Sequence, residues 1–260
     1  MKYSCPGTAN GMPGSGRRPG PAMRVCAMAA ALALVAGCAG PVDRYHTLRS
    51  TSAAAANSAR PTDRVLTVGP VTLPEALDRE NWVVRTGETS VQVFQHQLWT
   101  QGLAAEITQT LADQINRALA ASADADVRAI WVDGSGPSPA VDPTVVPPHA
   151  LRVRVQVLRF DSLLAPAPTI SDSVRWTLEC TGGESATDPA LLRFQVLRSA
   201  MREVTAPADA ASSNVTDDDT ARRFDRLALA HAGALQAVAQ DIAAAVDGTA
   251  ADRARACPER

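Results

Sequence analysis

The chain has 260 residues, of which 46% are hydrophobic and only 4% aromatic, and its formal net charge is −2. All 27 acidic residues lie after position 37, whereas four of the 25 basic residues lie before it, so a mature chain that begins at Cys38 has 21 basic against 27 acidic residues and a net charge of −6. Nucleic-acid binding is excluded, because it needs a basic surface, and docking by charge onto anionic lipid headgroups is disfavoured.

The N-terminal segment has the pattern of a secretory signal peptide. Basic residues precede an uncharged run of about twelve residues, 25–36, which is too short for the ~20 that a spanning helix needs. The run ends in Val35-Ala36-Gly37-Cys38, which matches a bacterial lipobox. An ordinary signal peptide that happens to contain a cysteine is the alternative. We predict a lipoprotein signal peptide over 1–37, an acylated, palmitate-bearing Cys38, and, since Ala39 rather than Asp follows, the periplasmic face of the outer membrane.

Two cysteines remain once the signal peptide is removed and Cys38 is acylated. They are Cys180 and Cys257. An oxidising compartment favours a disulfide between them, and two free thiols are the alternative.

The first half of the mature chain predicts short strands and one helix. Residues 38–62 form an acylated lead and loop, in which 44–48 are strand-like and Tyr45 and Leu48 are expected to be buried. If that patch pairs with the sheet, only 39–43 are free and reach at most ~18 Å. If 39–62 are all disordered, the reach is ~80 Å. We favour the first arrangement.

The spacing of the apolar residues changes at Leu98. Strands are predicted at 64–68, stopped by Gly69-Pro70, and at 82–85, 91–94 and 127–132. From Leu98 onward apolar residues recur every four positions and predict one amphipathic helix of roughly twenty residues. Its stripe is Leu103, Ile107, Leu111, Ile115 and Leu119.

The second half predicts an antiparallel meander and a long helix. Apolar and polar residues alternate over 151–160, 174–180 and 192–197, and loops are predicted at 133–148 and 205–216. Asp217, Asp218 and Asp219 favour a helix start, and Gly248 favours a stop. The fold class is therefore α+β: a mixed, largely antiparallel sheet of five or six strands with two amphipathic helices on one face. The domain spans 63–248, and 249–260 form a loose tail.

No active site is predicted. The four histidines, His46, His96, His149 and His231, show no convincing grouping that a metal site requires. His231 falls beside the apolar stripe of the last helix, where a core histidine is favoured over a catalytic one. Asp133-Gly134-Ser135-Gly136 lacks the first glycine of a nucleophile elbow. We predict no enzyme, no metal and no cofactor, and nothing favours a periplasmic hydrolase.

Short motifs, in their order along the chain, support a family. They are Tyr45-His46-Thr47-Leu48, Val68 through Pro74, Leu77-Asp78-Arg79, Val84-Arg85, Leu98-Trp99 at the head of the first helix, and Leu158-Arg159-Phe160-Asp161. This order resembles the ABC-type transport auxiliary lipoproteins, which include the lipoprotein of the paraquat-inducible membrane-integrity operon, over about residues 38–246. Ala76 stands where that family usually has an aromatic residue.

The resemblance implies a non-enzymatic outer-membrane component of a lipid-transport system that maintains envelope integrity. Its partners would be ABC transporter subunits and a periplasm-spanning MCE-domain protein, with the membrane reached through the anchor and a homo-oligomer left open. A lipoprotein that assists assembly of another envelope machine, such as a secretion or appendage complex, is the competing function.

We expect the partner surface at residues 73–85. Aromatic residues and arginines are the types that interfaces favour. The alternative is that Trp82 and Val84 belong to the core and the rest is a plain loop. The candidate contact residues are Leu73, Pro74, Asp78, Arg79, Trp82 and Arg85.

Overall fold

The computed structural model describes residues 41–49, 64–121, 127–131, 151–182, 193–208 and 217–249. All of its helices and strands belong to one unit, Asp43–Arg260. The strands are β1 Arg44–His46, β2 Arg64–Thr72, β3 Asn81–Arg85, β4 Val91–Trp99, β5 Val127–Trp131, β6 Leu151–Leu163, β7 Thr169–Gly182 and β8 Arg193–Pro207; the helices are α1 Leu103–Ala120 and α2 Asp217–Gly248, with a 3-10 turn at Glu75–Leu77.

Strand β6 organises the sheet. One edge of β6 pairs in parallel first with β2 and then, at Arg85 opposite Leu163, with β3, so that β2 and β3 follow each other along the same edge. The other edge pairs antiparallel with β7, which pairs antiparallel with β8. β5 lies parallel to β2, β4 lies antiparallel to β3, and β1 lies parallel to β4. The α+β class is confirmed, with eight strands where five or six were predicted.

Both helices pack on one face of this sheet and against each other. α1 contacts β2 and β5, whereas α2 contacts β7 and β8. The predicted stripes of both helices are buried, and each large apolar side chain that is fully buried stabilises the fold by about 1.5–3 kcal/mol. α2 begins at Asp217 and ends at Gly248, as predicted. No helix in the described ranges is long and apolar enough to cross a membrane.

The position of Leu98 and Trp99 differs from the prediction. Both residues end β4, where Leu98 pairs with Tyr45 and Asn81, and α1 begins only at Leu103. Gly102 precedes the helix with a φ of 79°, a backbone conformation that favours glycine. The prediction was wrong because the apolar pair that closes the strand happens to be in phase with the helix that follows.

Two other strands run farther than predicted. β2 does not stop at Gly69-Pro70 but continues to Thr72, with a register shift between Val68 and Val71 that Gly69 accommodates at a φ of 104°. β8 extends to Pro207, so the first residues of the predicted 205–216 loop are strand. The predicted 133–148 loop, residues 50–62 of the predicted lead and loop, and residues 250–260 of the predicted tail lie outside the described residues.

Candidate functional site

The chain that leads from the predicted anchor is fastened to the domain along residues 43–49. β1 pairs with β4, and the His46 carbonyl accepts hydrogen bonds from the Thr100 backbone N–H at 3.0 Å and from its hydroxyl at 2.8 Å. At the start of the segment, His96 Nδ1 lies 2.8 Å from Asp43 Oδ1. The predicted strand-like patch is confirmed.

The first two turns of α1 hold the far end of the same segment. The carboxylate of buried Glu106 accepts hydrogen bonds from the Thr47 hydroxyl at 2.7 Å and from the Leu48 N–H at 3.0 Å. Arg49 donates to Gln109 Oε1 at 3.1 Å. The predicted burial of Leu48 is confirmed. The predicted burial of Tyr45 is wrong, because its side chain is 65% exposed on the outer face of the edge strand β1.

His46 joins three elements that the sequence did not connect. Its Nε2 lies 2.7 Å from Gln97 Oε1 on β4, and its Nδ1 lies 3.1 Å from Asp225 Oδ1 on α2. The ring meets the Trp82 ring edge-on, with centroids 5.3 Å apart. Sequence reasoning gave His46 no role, since its only signal was its place between Tyr45 and Leu48.

Trp82 is the centre of an aromatic cluster in the core. Its ring stacks on Trp99 at 4.0 Å and packs at a steep angle against Phe224 at 5.1 Å. Trp82 and Val84 are each 1% exposed. The alternative prediction, that Trp82 and Val84 belong to the core, is therefore the correct one. The Trp82 side chain is not on the surface, where a partner could contact it.

A buried hydrogen-bonded network runs from this cluster into α2. The Trp82 indole N–H donates to Ser162 Oγ at 3.0 Å, Ser162 Oγ lies 2.8 Å from His231 Nε2, and His231 Nδ1 lies 2.9 Å from both oxygens of Asp172. Because an indole nitrogen only donates, Ser162 Oγ is the acceptor of the hydrogen bond from Trp82. His231 connects this hydroxyl to the Asp172 carboxylate.

Hydroxyl, imidazole and carboxylate stand here in the order of a nucleophile triad, but the network is closed to substrate. Ser162 and His231 are 0% exposed, and the serine oxygen already accepts the indole hydrogen bond. Burial raises the pKa of Asp172, and the neighbouring His231 opposes that rise. The arrangement connects β3, β6, β7 and α2 through satisfied polar groups. The predicted core histidine at position 231 is confirmed.

The segment predicted as a partner surface divides into buried and exposed parts. Leu73 and Pro74 are half-buried, whereas Asp78 and Arg79 are exposed. Arg85 forms a two-pronged pair with Asp161, at 3.0 and 3.3 Å, which holds the end of β3 against β6. Of the predicted contact residues, Asp78 and Arg79 lie together at the surface, whereas Arg85 is engaged by Asp161 at the end of β3.

A groove of about 380 Å³ lies beside the exposed part of that segment. Asp78, Arg79 and Glu80 line one side, and Gln101 and the first turn of α1 line the other. No hydrogen bond or ion pair engages the side chains of these three consecutive charged residues within the described part of the chain. The groove therefore carries charged groups that are available to a ligand or partner.

The remaining predicted residues concern cysteines and metals. Cys180 is buried and disulfide-bonded, and it is the only cysteine within the described ranges. Its pairing with Cys257 stays a prediction, because Cys257, like Cys38, lies outside those ranges. Among the described residues, no group of three histidine, cysteine or acidic side chains could hold a metal ion.

Comparison with solved structures gives distant relatives. An uncharacterized protein is 14% identical, with a TM-score of 0.50 over 79% of this chain and 99% of its own. Protein XCC0632 from Xanthomonas campestris, with family model DUF330, is 17% identical, with a TM-score of 0.45 over 82% and 99%. CT253 from Chlamydia trachomatis is 16% identical, with a TM-score of 0.36 over 70% and 97%. Likeness at this identity concerns the fold alone.

A family model gives the closer assignment. No curated protein matches the chain. The model of the ABC-type transport auxiliary lipoprotein component matches residues 46–243, from the last residue of β1 into the last turns of α2. Since that match covers every described element except the first residues of β1 and the end of α2, the chain belongs to the family of ABC-type transport auxiliary lipoprotein components.

Proposed function

We propose that this protein is an outer-membrane lipoprotein, acylated on Cys38, that acts as a non-catalytic docking component of an ABC/MCE-type lipid-transport system. Its membership of a transport auxiliary family supports the accessory role. Its partners in this proposal are a periplasm-spanning MCE-domain protein and, through it, the ABC transporter subunits.

The observation that carries the proposal is the fastening of residues 43–49. β1 is paired to β4, and Glu106 holds the residues that follow β1. Only five residues, 39–43, separate Cys38 from β1, and five residues span at most ~18 Å. A domain on so short a lead stays at the membrane in a nearly fixed position. Such a position suits a part at the end of a conduit rather than a carrier that searches the periplasm.

The proposed docking surface is the charged side of the groove, Asp78, Arg79 and Glu80. These side chains are exposed and have no partner among the described residues. Arg79 is the residue of greatest interest, because guanidinium groups are enriched where protein surfaces meet.

The test is co-purification from detergent-solubilised envelope with an affinity tag on the C-terminus. Arg79→Ala should reduce recovery of the MCE-domain protein several-fold. The matched control is Arg198→Ala, an exposed arginine on β8 away from the groove, which should leave recovery unchanged. Recovery of a different envelope complex and no MCE-domain protein would overturn the proposal in favour of assistance to another envelope machine.

The outer-membrane location has its own test. Under the sorting convention, Ala39→Asp should move the protein to the inner-membrane fraction of a density gradient while leaving acylation intact. A protein that already fractionates with the inner membrane before substitution would contradict the location.

A further inference from the structure

We propose that one end of the sheet rests on the lipid headgroups of the membrane that holds the anchor. This end consists of two turns, the β3–β4 turn at 86–90 and the β6–β7 turn at 164–168, hereafter the turn pair. The inference rests on the acylation of Cys38 in the proposed function and adds to it the surface that meets the bilayer. It is a different surface from the groove.

The register of the strands brings the two turns together and sets their direction. β1 and β4 run in the same direction, and β3 and β6 run in the opposite one. The end of the sheet from which the chain enters β1 is therefore the end at which β3 and β6 finish. Arg85 and Leu163 are paired there, so the two turns that follow them are neighbours.

The lengths of the strands carry the turn pair beyond the point at which the chain enters β1. Tyr45 is level with Leu98, which pairs with Asn81. Because the register shifts between Asn81 and Trp82, Arg85 is three residue steps beyond the level of Arg44 when counted along β3 and six when counted along β4, about 10–20 Å. The turn at 86–90 adds about 6 Å. The lead of five residues spans at most ~18 Å. The turn pair therefore projects on the side from which the chain enters β1, by a distance similar to the greatest reach of those five residues.

The β6–β7 turn has the chemistry of a segment that can leave bulk water. No residue from 162 to 171 has an ionisable side chain, and the exposed tip is Ala165, Pro166 and Ala167. Pro166 and Pro168 have no N–H group to desolvate, and the Pro168 carbonyl accepts a hydrogen bond from the Ala208 N–H at 2.8 Å. Beside it, the side chain of Val91, directly after the β3–β4 turn, is 55% exposed.

The charges at this end nearly cancel, although the mature chain as a whole is acidic. Asp161 pairs with Arg85 and lies 3.7 Å from Arg159, and Asp43 Oδ1 lies 2.8 Å from His96 Nδ1. The turn pair itself has one acidic residue, Glu88, whose side chain forms no ion pair with the described residues. Repulsion from anionic headgroups falls off within about 10 Å in salt, so the acidic remainder of the domain does not prevent this close contact.

The test measures depth with a nitroxide label on the acylated, full mature protein. Ala167→Cys places the label on the turn pair. Ala121→Cys is the matched control, because this exposed alanine follows α1 near the start of β5, at the opposite end of the sheet. Cys180 is already disulfide-bonded, which leaves the introduced thiol for labelling. The protein is reconstituted in vesicles of phosphatidylethanolamine and phosphatidylglycerol.

We expect the ratio of collisions with oxygen to collisions with a water-soluble nickel chelate to be several-fold higher at position 167 than at 121. Thr89→Cys, in the neighbouring turn, should give a ratio closer to that at 167 than to that at 121. Agreement between 89 and 167 would show that the result does not come from a local effect of one substitution. Protein that floats with the vesicles but gives water-like ratios at 89, 121 and 167 alike would overturn this inference and leave the proposed function standing. Protein that does not float and has no acyl mass would overturn both.

Discussion

Replacement of Ser162 by alanine tests the buried network directly. The substitution removes one hydroxyl that accepts from the Trp82 N–H and also forms a hydrogen bond with His231 Nε2. Two buried polar groups then lose their partner, and each such loss costs about 1–3 kcal/mol. Ser162→Ala should therefore lower the free energy of unfolding by about 2–6 kcal/mol, a large share of the ~5–15 kcal/mol typical of a domain.

The assay is urea unfolding followed by far-UV circular dichroism at neutral pH. With an m-value near 2 kcal/mol/M, the midpoint should fall by about 1–3 M. Ser199→Ala is the matched control: Ser199 is exposed on β8 and donates to the Trp176 carbonyl at 3.2 Å. Its cost should stay within about 0.5 kcal/mol, as for most surface substitutions.

A double-mutant cycle separates the hydrogen bond from packing. Trp82→Phe alone removes both the indole N–H and some packing volume. In the Ser162→Ala background the same change should cost about 1–1.5 kcal/mol less, because the N–H has already lost its acceptor. If Ser162→Ala costs no more than Ser199→Ala, or if the cycle shows no coupling, the assignment of the network as a structural centre is refuted.

Three further predictions concern other parts of the chain. Cys38→Ser should abolish incorporation of labelled palmitate; incorporation that persists would place the lipid elsewhere. Reduction of a disulfide between Cys180 and Cys257 should lower the free energy of unfolding by roughly 3–5 kcal/mol; two thiols titrating in denatured, unreduced protein would contradict the pairing. Burial raises the pKa of Asp172 in the folded state above 3.8, so the stability contributed by its protonated form is complete below that value and is lost as the pH rises through the raised pKa. The unfolding free energy of the wild type should accordingly fall relative to Asp172→Asn over this range and level off above it, and a difference that does not vary with pH would contradict this.

The fold was predictable where a regular period repeats. The alternation over 151–160 and 174–180 predicted β6 and β7, and the start signal at Asp217 and the stop signal at Gly248 predicted the bounds of α2. Prediction failed where the boundary between two elements depends on a single residue. Leu98 fits both the end of a strand and the start of a helix, and only the pairing with Asn81 and the backbone of Gly102 distinguish them.

The polar centre was predictable only in part. His231 was placed in the core by its position on the helix stripe, but its partners come from other elements. Ser162 and Asp172 lie on opposite strands of one hairpin, and the β6–β7 register brings both to His231. That register depends on how two strands pair, so it cannot be predicted from the sequence pattern of either strand alone. Likewise, His46 meets Asp225 across 179 positions of sequence.

The parallel pairing of β1 with β4 has a mechanical consequence. In the proposed lipoprotein, a partner that pulled the domain away from the bilayer would apply tension to the N-terminal end of β1. Inter-strand hydrogen bonds lie across that direction, so they are loaded in shear and share the force instead of opening one after another. The bonds from Glu106 and Thr100 add to the same joint. In the proposed lipoprotein, the short edge strand would transmit tension to the domain, and several bonds would have to break together to release it.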